Sequence, residues 1–105
     1  MSQNYIQGQW VAASGQTTVQ VINPSTEEML AEMQLASVQD VDQAILAADQ
    51  ALASWSKTSV EIRAQYLTKI ADGLEANKAD LSLLSHRNNG KPLYEAEIDL
   101  EDSIA

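Results

Sequence analysis

Residues 58–92 read TSVEIRAQYLTKIADGLEANKADLSLLSHRNNGKP, and this stretch carries the clearest structural signal in the chain. Large apolar side chains recur along it at helical spacing: Ile62, Tyr66, Ile70, Leu74, Leu81 and Leu84. Such spacing places them on one face of a helical segment that must lie against another element. Thr58 and Glu61 stand three residues apart, as in a capping box, so we predict that the helix begins there.

Two interruptions divide this segment. Asn77 tolerates the left-handed conformation that ends a helix, so it predicts a break between helices at about 59–76 and 78–88. Gly90 suits the position just past a helix end, and Pro92 suits the first turn of the next helix. We therefore expect a further helix at about 92–105.

Upstream, Ser37 and Asp40 have the residue types and spacing of a helix start. An apolar stripe follows over residues 38–55, formed by Val41, Ala44, Ile45, Ala48, Leu52 and Trp55. Small alanines beside these larger residues indicate close packing against the 58–88 segment.

Short strands are predicted before that helix, over about residues 5–35. The stretch 5–11 has the pattern of a hairpin turning at Gly8, and 17–22 and 29–35 alternate with period two. Asn23-Pro24 separates the last two. The predicted fold is of the α/β class, appearing as α+β within residues 1–105: short N-terminal strands and hairpins followed by antiparallel helices.

The amino-acid composition excludes several classes of function. The chain of 105 residues is 45% hydrophobic, much of it alanine and none of it phenylalanine, so an independent core would be thin. Fifteen acidic against six basic residues give a net charge of −9, which argues against nucleic acid and anionic membranes as partners. No apolar run approaches the roughly 20 residues of a membrane span, and the N-terminus lacks the pattern of a signal peptide. We expect a cytoplasmic protein.

The turn at Asn89-Gly90-Lys91-Pro92, followed by residues 93–96 (LYEA), resembles a signature of the NAD(P)+-dependent aldehyde dehydrogenases. Further matches occur in the family's order: Ile6-x-Gly8-x-Trp10, Ile22-Asn23-Pro24, Asp40-Val41-Asp42-x-Ala44, Glu61-x-Arg63 and Ile70-Ala71-Asp72-x-Leu74-Glu75. The resemblance covers essentially the whole chain but only an N-terminal part of the family's usual length. It implies the opening segment of an aldehyde dehydrogenase fold.

The family oxidises aldehydes to carboxylic acids with NAD or NADP through a cysteine thiohemiacetal. This chain has no cysteine, and it shows neither a glycine-rich cofactor loop nor the general-base glutamate motif. The resemblance therefore implies no catalytic and no cofactor-binding residue here, and an inactive chain when alone. Its implied partner is the rest of an aldehyde dehydrogenase chain, assembled as a homo-oligomer (dimer or tetramer). The alternative is a truncated or stand-alone acidic interaction module without catalysis.

The resemblance also implies a monovalent cation site for Na+ or K+. In many family members the ligands are backbone carbonyls before the Asn-Pro turn and an acidic residue before the Asn-Gly-Lys turn. The corresponding positions are Val21, Ile22 and Asn88, and the amide of Asn88 replaces the usual carboxylate.

A second implied site is the entrance of the substrate tunnel, at Ile98, Asp99 and Asp102. Family members that act on aminoaldehydes or betaine aldehyde tend to carry acids at both aspartate positions, whereas members acting on neutral aldehydes tend to be apolar at the second. The alternative for these acids is the solvated face of a helix. His86 and Lys91 are interpreted as structural residues of the helix end, because no metal-ligand or phosphate-loop pattern surrounds them.

Overall fold

The computed structural model describes residues 3–105, which form two two-stranded sheets and four helices. In chain order the elements are β1 (Gln3–Ile6), β2 (Gln9–Ala12), β3 (Thr18–Ile22), β4 (Met29–Gln34), α1 (Val38–Trp55), α2 (Val60–Ala76), α3 (Lys78–Asn89) and α4 (Leu93–Ile104). Strands followed by helices confirm the predicted α+β organisation. The described residues divide into two compact units, one of residues 3–21 and 31–58 and the other of 22–30 and 59–105.

In the first unit, β1 and β2 form an antiparallel hairpin in which Tyr5 lies opposite Trp10. The two turn residues, Gln7 and Gly8, both have positive φ, at 54° and 76°. Positive φ at both positions defines a type I′ turn, whose twist matches that of the strands. β1 packs against α1.

α1 begins at a capping box formed by Ser37 and Asp40. The Ser37 hydroxyl accepts a hydrogen bond from the Asp40 amide, and the Asp40 carboxylate accepts one from the Ser37 amide. These two bonds satisfy backbone donors that the helix start leaves open. The sequence pattern predicted this start.

In the second unit, α4 packs against both α2 and α3. Ser82 on α3 and Ala96 on α4 are fully buried, and side chains this small allow a close helix contact. α2 and α3 meet at Asn77, where the sequence predicts a break, and the Asn77 amide donates to the Gly73 carbonyl at 2.8 Å.

The start of α2 differs from the prediction. Ser59, not Thr58, is the N-cap, and its hydroxyl accepts a hydrogen bond from the Ile62 amide at 3.3 Å. Pro92 likewise precedes α4 as its N-cap, one position before the predicted first turn. Thr58 and Ser59 both carry a hydroxyl that can cap a helix, so residue type alone does not decide which of the two is the N-cap.

Few apolar side chains are buried within the described residues. Ala13 and Ala96 are buried, whereas Trp10, Val38 and Leu67 are each about two-thirds exposed or more. Because alanines remove little apolar area from water, burial within each unit contributes little stability. Across residues 3–105, no helix is both long enough and apolar enough to cross a membrane.

Candidate functional site

The turn between α3 and α4 is held by backbone and side-chain hydrogen bonds. Gly90 ends α3 with φ 79°, in the left-handed region, and its amide donates to the His86 carbonyl at 2.9 Å. The Lys91 amide donates to the Asn89 side-chain oxygen at 2.9 Å. His86 Nδ1 donates to the Lys91 carbonyl at 2.6 Å, so the imidazole bridges the helix end and the turn after it. This geometry gives His86 a structural role.

The same turn requires glycine on two counts. A side chain at Gly90 would adopt a positive φ, and its Cβ would lie 2.9 Å from Pro24 Cγ. Pro24 sits in a turn anchored by Asn23, which is buried and whose side-chain oxygen accepts from the Ser25 amide at 2.9 Å. The Asn-Pro turn and the Asn-Gly-Lys-Pro turn, far apart in sequence, therefore touch through Pro24 and Gly90.

Val21 and Ile22 are the last two residues of β3, and Asn88 lies in the last turn of α3. Val21 belongs to the first unit, whereas Ile22 and Asn88 belong to the second. The cation site stays a prediction. Among residues 3–105 there is also no group of three or more His, Cys, Asp or Glu placed to hold a metal ion.

The predicted substrate-entrance residues Ile98, Asp99 and Asp102 all lie exposed on α4. Their electrostatics differ, because Asp99 forms an ion pair with the Lys91 side chain. Asp102 has no ion pair or hydrogen bond through its side chain to another described residue. The negative charge of Asp99 is therefore partly neutralised by Lys91, whereas no described cation offsets that of Asp102.

Sequence reasoning missed the Lys91–Asp99 ion pair. The two residues stand eight apart across a turn, a spacing outside the i,i+3 and i,i+4 pairs that a helical pattern reveals. A second pair joins Lys78 and Glu101 at 2.5 Å and raises the pKa of the Lys78 ammonium, through its hydrogen bond to that carboxylate. Both pairs are partly exposed, so each contributes little stability by itself.

In the first unit, Asp40 gathers several hydrogen bonds on one carboxylate. Besides the Ser37 amide at 2.9 Å, it accepts from the Ser14 amide and the Ser14 hydroxyl, both at 2.8 Å. These donors, the Ser37 amide foremost, lower the pKa of Asp40 from its ordinary 3.8 to about 2. The ionised carboxylate of Asp40 connects Ser14 to the start of α1 through these hydrogen bonds. Asp40 therefore has a structural role.

The glycines of the chain do not form a dinucleotide-binding loop. Gly8 lies in the β1–β2 turn, the Gly15 amide donates to the Leu35 carbonyl, Gly73 lies inside α2, and Gly90 ends α3. Dinucleotide sites place glycines between a strand and a helix N-terminus, where backbone amides face the pyrophosphate. The glycines of this chain therefore do not fit a pyrophosphate-binding loop.

Residues 10–105 match the sequence model of the aldehyde dehydrogenase family. The chain belongs to the aldehyde dehydrogenase family. It is 40% identical over 101 residues to malonate-semialdehyde dehydrogenase 1 of Geobacillus kaustophilus, covering 96% of this chain and 21% of that protein. A Bacillus pumilus malonate-semialdehyde dehydrogenase is 38% identical over 104 residues, with 99% and 21% covered.

Solved structures give the same result. The betaine aldehyde dehydrogenase of Staphylococcus aureus in complex with NAD+ aligns with a TM-score of 0.88 at 34% identity, covering 96% of this chain and 21% of that one. An NAD-dependent benzaldehyde dehydrogenase from Corynebacterium glutamicum aligns with a TM-score of 0.89 at 28% identity, with 94% and 22% covered. These matches confirm the predicted fold and family. The chain spans about a fifth of the length of its relatives.

Proposed function

We propose that this chain is the N-terminal segment of an enzyme that oxidises aldehydes to carboxylic acids with NAD(P)+. The observation that carries the proposal is the family match over residues 10–105, combined with coverage of only 21% of a relative 40% identical. The nucleophilic cysteine and the cofactor loop then belong to the remaining chain. A stand-alone acidic interaction module is the weaker candidate, because the family match extends over nearly every residue.

Within that enzyme, this segment has a positioning role. The Pro24–Gly90 contact, the His86 bridge and the Lys91–Asp99 pair fix the start of α4 relative to the end of α3. If α4 borders the substrate entrance, these contacts determine where Ile98 and Asp102 stand. The segment also contributes the Val21 and Ile22 carbonyls and the Asn88 amide oxygen to a Na+ or K+ site, since hard cations prefer oxygen ligands.

The substrate class depends on the charge at that entrance. The uncompensated carboxylate of Asp102 favours a cationic aldehyde such as an aminoaldehyde or betaine aldehyde, because opposite charges attract across a few ångströms. Malonate semialdehyde carries a carboxylate of its own, and the ammonium of Lys91, which lies beside Asp99 of α4, would attract that carboxylate. We propose the cationic class, on the ground that Lys91 is already engaged by Asp99. The enzyme acts as a cytoplasmic homo-oligomer, a dimer or a tetramer.

The direct test uses the pure 105-residue chain. It should neither bind NAD+ in calorimetry nor form NADH from an aldehyde, because it has no cysteine and no cofactor loop. Aldehyde-dependent NADH formation by this chain at a rate above that of buffer would overturn the proposal. The S. aureus betaine aldehyde dehydrogenase, assayed alongside, verifies that the conditions support the reaction.

A further inference from the structure

Asn89 and Gly90, at the end of α3, form an Asn-Gly pair, the dipeptide at which asparagine deamidates most readily. In that reaction the Gly90 amide nitrogen attacks the side-chain carbonyl carbon of Asn89. The new N–Cγ bond closes a five-membered succinimide ring, and the side-chain nitrogen leaves as ammonia. Water then opens the ring to aspartate, or to isoaspartate, in which the chain continues through the former side-chain carbonyl. Glycine permits the attack because it has no side chain to hinder it.

The folded α3–α4 turn holds both reacting groups of this pair. The Gly90 amide, which must attack, donates to the His86 carbonyl at 2.9 Å. The Asn89 side chain, which must be attacked, is held at both ends. Its oxygen accepts from the Lys91 amide at 2.9 Å, and its nitrogen donates to the Ser85 hydroxyl at 3.4 Å. Asn89 is also the last residue of α3, and ring closure needs its backbone to leave the helical conformation. The reaction therefore requires the turn to open.

The His86 side chain adds a hydrogen bond that spans the Asn-Gly pair. Its Nδ1 donates to the Lys91 carbonyl at 2.6 Å and so joins the last turn of α3 to the residue after Gly90. Each hydrogen bond that must break lowers the population of the open turn by a factor of about two to ten. All these partners lie within residues 85–91. The protection therefore does not depend on what else covers the turn.

We propose that Asn89 is a deamidation site that the intact α3–α4 turn protects, and that its modification loosens this turn. Isoaspartate inserts an extra carbon into the backbone between residues 89 and 90, so the Gly90 amide no longer lines up with the His86 carbonyl. Either product places a carboxylate at the C-terminal end of α3, where the helix dipole disfavours a negative charge. Neither the modification nor its protection depends on the proposed catalytic function.

The first experiment follows deamidation of each asparagine in the 105-residue chain by peptide mass spectrometry, in buffer and in urea. In urea, Asn89 should react faster than Asn88, whose next residue carries a side chain, and Asn23 should stay intact because Pro24 has no amide hydrogen. In buffer, the rate at Asn89 should be lower by about tenfold or more, because only the opened turn reacts. Equal Asn89 rates in buffer and urea, or a rate in urea no higher than that of Asn88, would overturn the proposal.

A pair of neighbouring variants tests the protection itself. His86→Ala removes the imidazole bond to Lys91, so it should raise the Asn89 rate in buffer about two- to tenfold and leave the rate in urea unchanged. Arg87→Ala is the matched control, because Arg87 is the exposed next residue on the same helix turn. It should shift the rate by less than about twofold, below the effect of one hydrogen bond. No acceleration in His86→Ala, or an equal one in Arg87→Ala, would contradict protection by the turn.

The loosening is measured on the modified chain. The deamidated form, separated by ion exchange, should unfold at a lower urea concentration than the unmodified form when followed by circular dichroism. Asn88→Asp is the charge-matched control, since it adds a carboxylate one residue earlier on α3 without lengthening the backbone. It should lose less stability than the isoaspartate form. Equal unfolding midpoints for the modified and unmodified chains would show that deamidation does not loosen the turn.

Discussion

Asp40 links two parts of the first unit that are distant in sequence. Its carboxylate accepts from Ser37 at the helix start and from Ser14, 26 residues earlier. The sequence pattern predicted the local bond but not the distant one, because a turn of chain must bring Ser14 to the helix before it can donate. The lowered pKa of Asp40 is the measurable consequence of both.

The pH dependence of the first unit should follow this carboxylate. A pKa lowered from 3.8 to about 2 means that the folded state favours the ionised form, so its contribution to stability is full above pH 4 and is lost as the pH falls toward 2. Trp10 and Trp55, the two tryptophans of the chain, both lie in this unit, so fluorescence-detected urea unfolding reports on it.

We expect Asp40→Asn to be less stable than the wild type at pH 7, with a smaller loss of stability between pH 4 and 2. Asp42→Asn, exposed on the same helix, is the charge-matched control and should keep the wild-type dependence. Identical pH profiles for the wild type and Asp40→Asn would show that the Ser14 and Ser37 bonds do not stabilise the ionised form.

The proposed substrate class depends on a second residue, Asp102. Opposite charges 4 Å apart attract by about 1 kcal/mol in water and by about 4 kcal/mol near a protein surface. In the longer enzyme, Asp102→Leu should therefore raise KM severalfold or more for a cationic aldehyde and leave a neutral aldehyde unchanged or improved. Added salt should weaken the preference.

Asp99→Leu provides the comparison for Asp102→Leu. Its effect should be smaller, since Lys91 already offsets that carboxylate. Equal effects of Asp102→Leu on cationic and neutral substrates would assign these acids to a solvated helix face. A KM for malonate semialdehyde that falls when Lys91 is replaced by methionine would exclude the anionic alternative.

At the scale of elements, the helix ends were predicted where local conformation decides them. Gly90 and the Ser37–Asp40 box are set by backbone requirements within a few residues, so residue type is enough to locate them. The choice of Ser59 over Thr58, and the pairing of Lys91 with Asp99, depend on the path of the whole unit. Thr58 and Ser59 are equally suited to cap a helix, so the sequence does not distinguish them. The contact between Lys91 and Asp99 depends on the geometry of the turn between them, which the sequence does not show.

Gly90 and Gly73 form a matched pair of tests at this scale. Gly90→Ala must adopt a positive φ and press its Cβ against Pro24, so it should destabilise the second unit by about 1–3 kcal/mol. Gly73 lies inside α2 with nothing within 4 Å of an added Cβ. Gly73→Ala should therefore stabilise by about 0.5–1 kcal/mol, through the helix propensity of alanine.

Chemical unfolding followed by circular dichroism measures both variants, because the second unit carries three of the four helices. Unchanged stability of Gly90→Ala would contradict the geometry of the α3–α4 turn, and stability lost in Gly73→Ala would contradict the open space beside Gly73 in α2.

At the scale of the whole molecule, the described residues expose most of their large apolar side chains. α2 has no buried residue, although it carries Ile62, Tyr66 and Ile70 at helical spacing. The spacing predicted that this helix lies against something, and α4 provides only part of that surface. Such exposure fits the proposal that further chain covers these faces in the enzyme.

A graft into a working relative tests the central claim most directly. The part of S. aureus betaine aldehyde dehydrogenase that aligns with this chain is replaced by residues 1–105, and NADH formation from aldehyde is measured. If this chain is the N-terminal segment of such an enzyme, the graft should be soluble, bind NAD+ and turn over aldehyde, whereas the enzyme lacking the segment should not. A soluble graft that binds NAD+ but is no more active than the enzyme without the segment would contradict the account.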